Sequence, residues 1–148
     1  MNGPRRGLST LLRWREFQAS VAESLFHRES AGLADARSEF ESKSQALILL
    51  QEKRLQLHEK GRLDIAVLEQ IALIEQSAAD LRAEARARFH SAEASTASAL
   101  SRHVEARAAS RVVNQRKVRI DGELRQFNEK RLSDQMSDMR VAKEWNHD

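Results

Sequence analysis

The segment Leu57-His58-Glu59-Lys60-Gly61-Arg62-Leu63-Asp64-Ile65 separates two long runs, each of which repeats apolar residues every seven positions. Gly61 can take the left-handed conformation that ends a helix. Asp64 can cap the next helix, with its carboxylate near the positive helix end. From about Leu11 to Lys60 there is no proline, and the only glycine is Gly32. There, Leu12, Ala19, Phe26, Leu33, Phe40 and Leu47 share one heptad position, a. The d position is apolar at Ala22, Ala36, Leu50 and Leu57 but interrupted by Arg15, Glu29 and Lys43. After the break, Ile71, Ala78, Ala85, Ala92, Ala99, Ala106, Val113, Ile120 and Phe127 form a second a line. Its d line opens with Val67, Ile74 and Leu81 and turns polar at Arg88, Ser95 and Arg102.

A period of seven held this long marks helices packed along a seam. The expected fold class is all-α, two long helices in an antiparallel coiled-coil hairpin with the second helix longer. The first helix, roughly 50 residues, would span about 75 Å at 1.5 Å per residue. Folding back at Gly61 sets Phe40 against Ala85, Leu33 against Ala92 and Phe26 against Ala99, large against small. Residues 1–10 are expected to be a flexible tail, because Gly3, Pro4 and Gly7 oppose helix, with Ser9 or Thr10 capping the first helix. The hairpin is expected over 11–140, its turn near 58–64, and a second flexible tail over 141–148.

Composition narrows the function classes. A chain of 148 residues is one domain. One Pro and five Gly are too few turn residues for a compact α/β enzyme, and 41% hydrophobic residues are too many for a disordered chain. No apolar run is long enough to span a membrane, and Arg5 and Arg6 are not followed by the apolar core of a secretory signal. The absence of Cys excludes disulfides and thiolate metal sites. His27, His58, His90, His103 and His147 lack a histidine partner at three- or four-residue spacing and read as surface residues, so no metal site is expected. No Gly-x-Ser-x-Gly elbow or phosphate-binding Gly-rich loop is present. The expectation is a non-enzymatic protein without cofactors.

Two features go beyond what a hairpin needs. Residues 1–15 hold Arg5, Arg6, Arg13 and Arg15 and no acid, a net +4. Residues 111–131 hold Arg111, Arg116, Lys117, Arg119, Arg125, Lys130 and Arg131 against Asp121, Glu123 and Glu129, again a net +4. In a hairpin both fall at the open end, either as a solvated surface or as a docking end for an acidic protein surface or phosphates. The second feature is apolar residues outside the seam. Ile48, Leu49, Leu55, Ile65, Leu68 and Leu73 lie near the turn, covered by local packing, a short third helix or a partner. Trp14, Phe17, Val21 and Leu25 form another stripe, unless Leu11, Trp14, Val21 and Leu25 are themselves the seam there. Nucleic-acid binding is not expected: the basic part follows the heptads, contains acids and lacks an aromatic stacking platform.

The chain resembles the stalk proteins of bacterial type III secretion and flagellar export, the FliJ/YscO/HrpO type. The resemblance rests on architecture: a Leu-rich end of the first helix, Leu47-Ile48-Leu49-Leu50, the glycine turn, and Ile71-Ala72-Leu73-Ile74-Glu75-Gln76 near the start of a longer second helix. The second helix ends in a charged stretch, Glu129 to Met139. The Gln-, Glu-, Arg- and Ala-rich composition, poor in Gly, Pro and Cys, fits as well. The resemblance implies a central stalk that stands in a hexameric secretion ATPase and promotes its assembly. It implies contact with an export-gate membrane protein and with substrate-escort chaperones. It places the protein in the cytoplasm, peripheral to the inner membrane at the base of the secretion apparatus, and as a monomer when free. Mapped onto this chain, the ATPase contact falls to Arg13, Arg15, Arg111, Arg116, Lys117, Arg119 and Arg125. The export-gate contact falls to Ile48, Leu49, Leu55, Ile65, Leu68 and Leu73. The competing expectation is an unrelated structural or regulatory coiled-coil interaction protein, with a basic nucleic-acid binder further behind.

Overall fold

The computed structural model describes residues 3–61 and 64–145. They form two helices, α1 (Gly3–Glu59, 57 residues) and α2 (Ile65–Trp145, 81 residues), and no strand occurs among the described residues. Partners across the two helices run in opposite directions: Arg54 meets Glu75, Glu39 meets Arg88, and Phe26 meets His103. The architecture is therefore the antiparallel hairpin that the heptads predict, with the second helix longer. At the turn Gly61 has φ 62°, the left-handed value that a side chain would oppose. Its N–H donates to the His58 carbonyl at 3.2 Å, and that of Lys60 to the Gln56 carbonyl at 3.3 Å, closing α1. The Asp64 backbone carbonyl accepts from the N–H groups of Val67 and Leu68, both at 3.1 Å, and opens α2.

Both expected tails differ from the structure. α1 begins at Gly3, not near Leu11. Pro4 falls in the first turn, where its missing N–H would have had no intrahelical partner. Gly7 costs only about 1 kcal/mol against Ala, too little to stop a helix already begun. Thr10 therefore lies inside the helix and does not cap it; its hydroxyl donates to the Arg6 carbonyl one turn back, at 3.0 Å. At the other terminus α2 runs through Trp145, since Val141-Ala142-Lys143-Glu144 contains no helix breaker. Residues 146–148 lie outside the described residues.

The chain divides into two compact units, residues 21–103 and residues 1–20 with 104–148. In the 21–103 unit the α1 frame holds at both positions. Phe26, Leu33, Phe40 and Leu47 alternate with Ala22, Glu29, Ala36, Lys43 and Leu50 as half-buried residues. On α2 the a line holds too: Ala85 and Ala99 are 1% and 3% exposed, and Ile71, Ala78 and Ala92 are half-buried. The expected d line of α2 is overturned. Val67, Ile74, Leu81, Arg88, Ser95 and Arg102 are exposed. One residue further on, Glu75, Arg82, Phe89, Thr96 and His103 occupy the seam, all half-buried.

A seam between only two helices keeps one edge in water, so long polar side chains can lay their stems in it and leave their heads solvated. These do so while bonding across. Arg82 donates to the Ser44 hydroxyl at 3.0 Å, and its guanidinium lies 5.5 Å from the centre of the Phe40 ring. Phe89 stacks on the same ring, centroids 6.0 Å apart and planes 8° off parallel. Phe40 is thus bracketed by residues on either side of Ala85. Thr96 donates to the Glu29 carbonyl at 3.1 Å. His103 stacks on Phe26, centroids 6.0 Å apart and planes 2° off parallel, so it is a seam residue and not the surface histidine its spacing suggests.

In the other unit Leu12 is 8% exposed, and Arg15 and Ala19 are half-buried with it. On α2, Ala106, Val113 and Ile120 continue the a line, with Ser110 and Lys117 at the second position, all half-buried. Phe127, the expected last member, is 61% exposed, because the seam has run out before it. Trp14 and Phe17 stack on each other at 5.9 Å, largely exposed, and Val21, the first residue of the 21–103 unit, is exposed too. The stripe containing Trp14 is therefore not the seam.

Candidate functional site

Two groups of side chains were singled out by sequence, and each falls within one unit. In the 21–103 unit the six apolar residues near the turn are all exposed, from 37% at Leu68 to 73% at Ile65. They do not form one patch. At 100° per residue from the seam, Ile48 and Leu55 project from one flank of α1. Ile65 projects from the flank of α2 on the same side, while Leu68, one heptad before Glu75, stands at the turn end of the seam line itself. Leu49 projects from the opposite side, where Arg88 reaches Glu39. There it shares a face with Val67, Ile74 and Leu81, all exposed. Leu73 points away from the seam altogether. The hairpin thus carries two apolar faces near its turn. Val67, Ile74 and Leu81 belong to one of them and were missed because their heptad spacing placed them in the seam. Each face thus leaves several large apolar side chains in water.

The basic group lies in the other unit, and its members differ in how free they are. Arg13, Arg111, Arg116 and Arg125 are exposed. Arg119 is exposed but paired with Glu123 at 3.0 Å, one turn along the same helix. Arg15 is half-buried and donates to the Gln18 side chain at 3.2 Å. Lys117 is half-buried at the second seam position. Arg111 and Arg116 point to different sides of α2, since five residues advance the helix well past a full turn. The arrangement is a collar of positive charge around the helices, able to attract an acidic surface at a range of about 8–10 Å in physiological salt.

Nothing among the described residues groups His, Asp or Glu as a metal site would. His90 sits between Arg86 and Glu93 on α2, bonded to the latter at 3.1 Å in a local side-chain chain on an exposed face. Among the described residues no helix is long and apolar enough to cross a membrane. Comparison of the chain with protein-family models, with curated proteins and with solved structures returned no match.

Proposed function

We propose that this protein is a non-enzymatic central stalk of a type III secretion or flagellar export ATPase. In this reading it promotes assembly of the hexameric ATPase and couples it to the export gate and to substrate-escort chaperones, at the cytoplasmic base of the apparatus. The observation that carries the reading is the division of labour on a long helical hairpin. Exposed cations gather in the unit that holds the helix termini, and exposed apolar faces gather beside the turn. The collar suits the acidic lining of a ring, and the apolar faces suit a protein surface at the gate. The chemistry of hydrolysis belongs to the ring.

The test uses the export ATPase and gate of the native host. Replacing Arg111, Arg116 and Arg125 with Glu should abolish stimulation of ATP hydrolysis while helicity stays unchanged. Stimulation by the unaltered protein should fall as salt rises, because exposed charges are screened. Replacing Leu55 and Ile65 with Ser on one face, or Leu49 and Ile74 on the other, identifies the face that the gate uses. If both charge reversal and face disruption leave hydrolysis and gate binding unaltered in a folded protein, the chain is instead an unrelated structural or regulatory coiled coil.

A further inference from the structure

From Glu123 to Lys143 every described side chain of α2 is exposed, so this stretch runs without a partner in the chain. A lone helix of that length is marginal in water. Along one of its faces, at steps of three and four residues, stand Glu129, Leu132, Met136, Met139 and Lys143. The three apolar side chains are 59%, 59% and 65% exposed in that order. No ion pair among the described residues engages Glu129 or Lys143.

This face is its own complement when reversed. A second copy laid antiparallel, with the twofold axis at Met136, brings Glu129 opposite Lys143 and sets Leu132 within one residue of level with Met139, and symmetry repeats both contacts at the other end. Parallel pairing would set Glu129 against Glu129 and Lys143 against Lys143, which repels. Methionines at and beside the axis adapt to each other without tight steric demands. We propose that residues 129–143 of α2 form a self-association surface whose occupant is the same stretch of a second copy, antiparallel. The contact is far smaller than the roughly 20–30 residues a side of stable interfaces. The dimer is accordingly weak, with a dissociation constant on the order of 100 µM. The inference does not rest on the stalk reading, since none of the residues on this face belongs to the ring or gate sets.

Sedimentation of the full chain from about 5 to about 500 µM brackets that constant and should show a monomer passing to a dimer. Glu129→Lys alone and Lys143→Glu alone should each weaken association about threefold or more, since each places two like-charge contacts in the dimer. The double swap should recover it. Unchanged ellipticity at 222 nm certifies the fold in each variant. Because the chain has no cysteine, Met136→Cys should oxidise readily to a covalent dimer, and Glu129→Cys, far from the axis, should do so much more slowly. A monomer across the whole range overturns the proposal. So does a double swap as weak as the single changes, equal oxidation of both cysteine variants, or a dimer that dissolves on Leu49→Ser at the turn.

Discussion

Removing the Phe40 ring tests whether the seam is built as described. Full burial of a phenylalanine makes its replacement by Ala cost about 3–5 kcal/mol, but Phe40 is only half-buried. It also lines an open groove with Ser44, Gln45, Ile48 and Arg82. Water can enter the space that the ring leaves, so the cavity contribution is small and the lost burial is about half, near 1.5–2 kcal/mol. The stack on Phe89 adds about 0.5–1.5 kcal/mol beyond its area, and the Arg82 guanidinium over this half-buried ring about 0.5–1 kcal/mol. Phe40→Ala should therefore destabilise by about 2.5–4.5 kcal/mol, read from urea unfolding followed at 222 nm. Phe89→Ala should cost somewhat less. In the double variant the two effects should fall short of additivity by about 0.5–1.5 kcal/mol, the coupling of the stacked pair. A loss for Phe40→Ala no larger than that for an exposed control such as Glu52→Ala would refute the frame. A coupling of zero would leave the frame standing and refute the stack.

Ala85→Leu and Ala99→Leu should each destabilise by about 1–3 kcal/mol, because a branched side chain cannot enter positions that are 1% and 3% exposed without parting the helices; thermal melts would show this. Ala87→Leu, on the exposed face of the same helix, is the control and should change little. Gly61→Ala should cost about 1–2 kcal/mol, measured by the same unfolding assay, since the φ of 62° is strained for any residue with a Cβ. Open space around Gly61 means that no clash adds to this, so a loss much above that range would point to a turn with other contacts.

How far the sequence could be read depended on which side chains face the seam. On α1 both seam positions were legible, because Phe26, Leu33, Phe40 and Leu47 stand out from their surroundings and Gly61 marks the reversal. On α2 only one was. The line from Ile71 to Ile120 is apolar throughout, whereas the second position carries Glu75, Arg82, Thr96, His103, Ser110 and Lys117. Hydrophobic periodicity cannot see such a line. Val67, Ile74 and Leu81 drew the d position one residue too early, although these residues lie in water. The tail was misjudged because Pro4 and Gly7 were weighed as helix breakers without regard to position, and a proline in the first turn breaks nothing. The basic group was legible as composition only. Arg15 already stood at a d position of α1, whereas the half-burial of Lys117 follows from the second line of α2, which its charge concealed.

The polar line in α2 bears on how the two helices find their alignment. Alanines at 78, 85, 92, 99 and 106 recur identically, and Leu33 and Leu47 repeat on α1 as Phe26 and Phe40 do. Slid by two heptads, α1 would meet an almost identical apolar surface, and burial alone would scarcely distinguish the two positions. What does not repeat is the salt bridge of Arg54 to Glu75, the Thr96 hydroxyl on the Glu29 carbonyl, and the His103 ring on Phe26. Each would be broken by the slide, leaving a polar group half-buried without its partner. Like a single buried Asn that fixes the alignment of a zipper, these contacts act as a vernier: the alanines set how closely the helices approach, and the polar side chains set which of several equivalent notches they occupy.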